Sequence, residues 1–267
     1  MESQRPAAPA LGELILVHGL EGSSQAGYMR SIAAAALHAG FAAHRLNLRT
    51  CGGTERYCQT LYHAGLTTDL LAVLRRFHEE GRAPAVLVGL SLGGNVVLKL
   101  AGELREAARP LVRAVCAVST PLDLAVCAHR LAEPANRLYE RRFVRRMKAR
   151  LKATGRYSPS QFATLRTLIE IDDRITAPSF GFGNAANYYR SQSSRCYLGG
   201  VRVPTLLIQA KDDPLVPFET YESVEVRENE QIRLVAPEHG GHLGFLARGL
   251  PRFWTDRAIL SWIEDLG

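Results

Sequence analysis

Ser91 lies within Val88-Gly89-Leu90-Ser91-Leu92-Gly93-Gly94, with a glycine two residues away on either side. The apolar run 85–88 precedes it and the helix-like run 95–100 follows it. That order reads as strand, sharp turn and helix with the serine at the turn, the arrangement of a nucleophile elbow. Glycines at those two places let the strand fold back tightly on the helix and push the serine side chain outward. The turn also aims the backbone N–H of Leu92 at the place where an oxyanion would form. A serine hydroxyl is a weak nucleophile near neutral pH. It needs a base within hydrogen-bond reach and a third group to orient that base.

Two later segments offer those partners, each after a run that reads as a strand. Ala210-Lys211-Asp212-Asp213-Pro214-Leu215-Val216-Pro217 carries the acids, and Glu238-His239-Gly240-Gly241-His242-Leu243-Gly244-Phe245 carries the bases. The chain order serine, acid, histidine is one of the orders in which a Ser-Asp-His triad occurs. Asp213 is preferred as the acid because it directly precedes Pro214-Leu215-Val216-Pro217. Asp212 stays as the alternative, and otherwise braces the loop. His242 is preferred as the base because two glycines before it let the imidazole approach Ser91, with His239 as the alternative. His18-Gly19-Leu20-Glu21-Gly22 follows the first strand. The N–H of Leu20 is assigned as the second oxyanion donor beside that of Leu92, and His18 is read as shaping the loop rather than acting as base.

These groups are far apart in sequence, so strand ends must bring them together. Strands are predicted at 13–17, 41–46, 85–88, 111–118, 204–209 and 232–235, and helices at 28–39, 67–80 and 255–266. Their alternation predicts a mainly parallel sheet with helices on both faces. Between residues 123 and 200 the alternation stops and helices with irregular loops take over. An insertion at the carboxyl end of a strand lies over the active face. Residues 123–200 are therefore read as a helical cap, and residues 1–122 and 201–267 as the core. Asp172-Asp173, within the cap, reads as a helix-to-loop capping pair. Phe180, Phe182, Tyr188 and Tyr189 are expected to line an acyl pocket.

A length of 267 residues with 46% hydrophobic content suits one α/β domain with an inserted cap. No run approaches the ~18 apolar residues of a membrane-spanning helix. Residues 1–10 contain Pro6 and Pro9 and no apolar core, so they read as a short flexible tail rather than a signal peptide, and a cytoplasmic protein is expected. Five scattered cysteines argue against both a disulfide framework and a zinc site. The net charge of +7 belongs to one segment: residues 129–152 hold nine Lys or Arg against two acids, and the rest of the chain balances at 24 of each. Such confinement argues against a general nucleic-acid-binding surface. Within that segment Tyr139, Phe143, Met147 and Leu151 recur every fourth residue, making a basic amphipathic helix. Two readings stay open: contact of residues 137–152 with anionic lipid, or a cap helix packing its apolar row on the core with its arginines in water.

On the stretches HGLEGSS (18–24), NLRTCGGTERYCQTLYHAG (47–65), VGLSLGGN (88–95), IDDRITAPSFGFGNAANYY (171–189), AKDDPLVP (210–217) and GGHLGF (240–245), the chain resembles the α/β-hydrolase superfamily. The resemblance is to its subfamily of bacterial YheT-type hydrolases, plant EMB8-like proteins, and ABHD1/ABHD3-type and yeast ethyl-ester-synthase lipid esterases. It implies an α/β-hydrolase fold and an esterase acting on small-molecule acyl esters without cofactor or metal. It also implies that the loops at 49–53 and 62–65 lie beside the site. Members of that subfamily usually carry two extra strands at the N-terminus, and here only about a dozen residues precede the first predicted strand, too few for two of typical length. The N-terminal antiparallel strands are therefore expected to be missing. Residues 41–46 would then form an edge strand open to pairing in a homodimer.

The expected reaction is acyl transfer through Ser91, Asp213 and His242 with Leu20 and Leu92 as oxyanion donors, giving an acyl-enzyme that water hydrolyses. An acyltransferase or thioesterase using the same residues is the alternative, and a non-catalytic ligand-binding scaffold is a further one. An acid in place of Ser91 would have indicated epoxide or haloalkane chemistry.

Overall fold

Seven strands form one twisted sheet in the order β1-β3-β2-β4-β5-β6-β7. The computed structural model describes residues 1–82, 84–248 and 252–266, so residues 83, 249–251 and 267 of the segments read as core lie outside the described residues. The strands are β1 (Glu2–Gln4), β2 (Glu13–Val17), β3 (Ala42–Leu46), β4 (Ala85–Leu90), β5 (Val112–Val118), β6 (Thr205–Ile208) and β7 (Ile232–Val235). All pairings from β3 to β7 are parallel, and only β1 runs antiparallel, against β3.

Parallel strands covered on both faces carry apolar side chains at every position. In β2, Ile15 and Val17 enter one core and Leu14 and Leu16 the other. The first core is closed by α2 (Thr68–Glu79) and α3 (Leu92–Leu104), through Leu70, Leu74, Val96 and Leu100. The second is closed by α1 (Gly27–His38) and the last helix, Trp254–Glu264, through Met29, Ile32, Ile259 and Ile263. Between β5 and β6 the chain is helical only: α4 (Leu124–Ala132), α5 (Arg137–Thr154), several short turns, and α6 (Ala185–Gln192). This helical segment packs Val144, Met147, Leu151, Phe162 and Ile175 in a small cluster that also takes in Leu61 of the loop after β3.

The N-terminus departs from expectation. The segment read as a flexible tail supplies β1, so one antiparallel strand is present and β3 is not an edge. The surface expected to pair two copies along β3 is thus already occupied within the chain. Charge holds this strand where length alone would not. The Glu2 carboxylate accepts from Ser24 Oγ and Gln25 Nε2, each at 2.6 Å, and from Arg45 Nη2 at 3.0 Å. Just after β1, Arg5 Nη2 donates to Glu13 Oε1 at 2.6 Å. Burial opposes charge on Glu13, but hydrogen bonds from Arg82 and His44 outweigh it and hold its pKa at about 2.

Candidate active site

The turn between β4 and α3 places Ser91 at φ 52°, ψ −123°, a conformation that non-glycine residues rarely hold. The surroundings enforce it. Ser91 N–H donates to the Val118 carbonyl of β5 at 2.8 Å, and Gly94 N–H donates to the Ser91 carbonyl at 2.8 Å to start the helix. A Cβ at Gly89 would run into the carbonyl of Gly93, and one at Gly93 into the carbonyl of Val17. The two glycines therefore let helix, turn and neighbouring strand close on one another, and Ser91 is left pointing off the sheet.

His242 Nε2 lies 3.0 Å from Ser91 Oγ, and His242 Nδ1 lies 2.9 Å from Asp213 Oδ2. With the Nδ1 proton donated to the carboxylate, Nε2 is free to accept from the serine hydroxyl; the tautomer is assigned from this bonding. The Asp213 side chain is fully buried, and its Oδ1 accepts from the N–H groups of Leu215 (2.9 Å) and Val216 (3.1 Å). Gln209 Nε2 donates to Oδ2 at 3.3 Å. Pro214 has no N–H, so the next two amides turn back onto the carboxylate. Asp212 faces the other way and accepts from Gly240 and Gly241 N–H at 2.9 and 2.8 Å, bracing the histidine loop. His239 pairs with Asp212 and is exposed, away from Ser91. The space a side chain at Gly240 would take is filled by the Phe245 ring rather than by the imidazole, and Gly241 holds φ 56°.

The loop after β2 is pinned on both sides of Leu20. Gly19 N–H donates to Tyr28 Oη at 3.1 Å, and Glu21 N–H donates to Tyr62 Oη at 3.0 Å. The N–H groups of Leu20 and Leu92 donate to no such partner among the described residues, and both residues border the same cavity as Ser91. His18 is fully buried, with Nδ1 2.8 Å from the Gly19 carbonyl and Nε2 accepting from Leu48 N–H at 3.1 Å. Burial lowers its pKa to about 4, although the Gly19 bond works the other way, so it stays neutral and shapes the loop.

Ser91 and His242 stand where two spaces meet. An inner cavity runs under α4 and α5, walled by side chains such as Leu124, Leu131, Met147, Leu168 and Val216. An outer cleft opens between the Leu20 loop and α5, past Tyr139, Arg142 and Arg146. A few polar groups break the apolar lining of the inner cavity, among them His63, Asp172 and Tyr189. Burial, then the charges of Lys99 and Arg49, lower the His63 pKa to about 4. Tyr189 Oη donates to Asp172 Oδ2 at 2.7 Å, and burial raises the Asp172 pKa to about 6.

Several expectations change here. Asp172 is not a capping residue but a buried carboxyl on the cavity wall; only Asp173 caps, accepting from Ala185 N–H at 3.0 Å. Tyr188 and Tyr189 line the cavity, whereas Phe180 and Phe182 pack against the His63 ring. Along α5, Met147 and Leu151 are buried and Phe143 lines the cavity, but Tyr139 is exposed. The arginines of α5 are not all in water. Arg150 is buried and donates to Glu21 Oε1 at 2.8 Å. Its spacing offered a signal, because residues 143, 147, 150 and 154 share one face of a helix. No group of three or more His, Cys, Asp or Glu side chains among the described residues is arranged to hold a metal ion. No helix among them is long and apolar enough to cross a membrane.

The profile of the alpha/beta hydrolase family matches residues 14–252. The chain is 34% identical over 272 residues to a putative esterase, YheT, of Escherichia coli, spanning 98% of this chain and 79% of that protein. It is 28% identical over 269 residues to a monoacylglycerol lipase of Saccharomyces cerevisiae, spanning 94% of this chain and 58% of that protein. Among solved structures, the ferulic acid complex of Est1E from Butyrivibrio proteoclasticus superposes with a TM-score of 0.64 at 16% identity, covering 99% of this chain and 94% of the other.

Proposed function

The chain belongs to the alpha/beta hydrolase family and is an ester hydrolase, and from that premise we propose that it cleaves acyl esters by a serine mechanism. Ser91 Oγ attacks the ester carbonyl while His242 Nε2 takes its proton. Asp213 holds the imidazole and stabilises the cation that forms, and the N–H groups of Leu20 and Leu92 receive the oxyanion. His242 then protonates the departing alcohol. Water repeats the cycle on the acyl-enzyme and regenerates Ser91. The observation that carries this reading is the hydrogen-bonded series Asp213, His242, Ser91, at 2.9 and 3.0 Å, standing at the junction of the two spaces.

The apolar inner cavity supports an acyl chain of short to medium length or a lipid acyl chain, with the alcohol leaving through the outer cleft. The yeast lipase among its relatives fits a lipid ester. A peripheral contact with anionic lipid belongs to the same proposal. Leu138 is 77% and Tyr139 44% exposed at the outer end of α5, beside Arg137, Arg141 and Arg142.

Turnover of a p-nitrophenyl ester series from acetate to palmitate tests the reaction. Ser91→Ala should keep the melting temperature and lose roughly 10⁴-fold or more in kcat. Normal turnover by Ser91→Ala would remove Ser91 as the nucleophile.

A further inference from the structure

The mechanism has no use for a buried ion pair that joins the cap segment to the Leu20 loop. Arg150, in the last turns of α5, reaches through the interior to Glu21, and both side chains are almost wholly buried (6% and 4% exposed). Its Nε donates to Glu21 Oε1 at 2.8 Å and its Nη1 to Thr50 Oγ1 at 3.2 Å. The guanidinium also stands 4.7 Å from the centre of the Tyr62 ring. Tyr62 completes the cluster by donating to Glu21 Oε1 at 3.1 Å while accepting from Glu21 N–H. Glu21 itself is held at φ 53°, a left-handed conformation that a glutamate does not choose unaided.

Glu21 follows Leu20 directly, so holding Glu21 in place fixes one end of the residue that carries the donor, as the Gly19 N–H bond to Tyr28 fixes the other. Its carboxylate also places a full negative charge one residue from the donor that must receive a second one. In a water-poor interior such a charge opposes an oxyanion strongly unless it is neutralised. Arg150 both neutralises it and ties it down. A buried ion pair is poor evidence of stabilisation, since a well-packed apolar pair often serves as well. Its retention at this point is better accounted for by what it does to the neighbouring donor.

We propose that Arg150 is a positioning residue for the oxyanion-binding loop: by holding and neutralising Glu21, helix α5 completes the site in which Ser91 works. Seating of the cap segment and readiness of the oxyanion donor are then one event. A cap helix displaced at its Arg150 end leaves a serine and histidine in place but a poorly aimed donor beside an uncompensated carboxylate. The inference rests on the serine esterase reading given above.

The test compares Arg150→Met, Arg150→Lys and the double variant Arg150→Met/Glu21→Gln on a neutral p-nitrophenyl ester, with melting curves for each. Arg150→Met should lower kcat about 100-fold, the scale of losing one oxyanion donor, with KM changed less than threefold. Removing the stranded carboxylate in the double variant should recover at least tenfold of that loss, and Arg150→Lys should fall between Arg150→Met and the parent. Should Arg150→Met itself fail to fold, Arg150→Lys, which keeps the charge but loses the guanidinium fork, reads the pair and should lose at least fivefold in kcat. A kcat within twofold of the parent in a folded Arg150→Met, or in Arg150→Lys where Arg150→Met does not fold, would overturn the proposal. So would a kcat in the double variant no better than in a folded Arg150→Met. Failure of the esterase reading is distinguishable, because the parent enzyme would then show no Ser91-dependent turnover at all.

Discussion

The two walls of the site are built by different means. On the sheet side, Ser91, Asp213 and His242 sit in turns that follow strands, and backbone groups hold them: Val118 C=O for Ser91, the Leu215 and Val216 amides for Asp213, the turn of Gly240 to Phe245 for His242. On the cap side, the groups facing the same space are held by other side chains. Arg150 is held by Glu21, and Asp172 by Tyr189. Backbone turns are local and stiff, so the sheet wall can fix reacting atoms to within a hydrogen-bond length. Side-chain pairs yield more readily to repacking, so this wall can change what fits without disturbing the turns of the sheet side.

The contrast is broken most directly from the sheet side. Asp213→Asn preserves shape but supplies an amide where the imidazole needs an acceptor, so kcat should fall by roughly 10⁴-fold with the melting temperature nearly unchanged. A loss below tenfold would mean that this wall is not where the chemistry is set. On the cap side, flotation with anionic vesicles at moderate salt reads the outer end of α5. Leu138→Glu should reduce bound protein about tenfold while turnover of a soluble ester stays within twofold. Absence of binding by the parent would leave α5 as a packing element alone.

Asp172 gives the smallest effect and the finest test. Its folded pKa, raised by burial to about 6, lies above the unfolded value near 3.8. Stability from this group is therefore fully present below about pH 4 and is lost as pH rises toward and through 6. Asp172→Asn has no such loss. Its stability relative to the parent should rise between pH 4 and pH 7, by on the order of 2 kcal/mol, in denaturant titrations at the two pH values. A difference that does not vary with pH would mean that Asp172 keeps its charge, and that the cap wall carries a buried anion.

The sheet wall was readable from the chain because its signals are local. Glycines around Ser91, the proline after Asp213 and the strand before each loop all act within a few residues. The same reasoning located six of the seven strands, and the Asp213 it preferred is the acid whose carboxylate stands 2.9 Å from His242 Nδ1. It missed β1, where three residues are held by the charges of Glu2, Arg5, Glu13 and Arg45 rather than by any apolar pattern. It also left the arginines of α5 in water. Periodicity marks the face of a helix that turns inward, and Arg150 lies on that face, but nothing local says that an acid waits there. Glu21 is 129 positions away. Burying a charge is favourable only when its partner is already in place, and packing of the whole fold decides that. Local turns thus determined which atoms could react, and the tertiary structure alone decided which charges stand beside them.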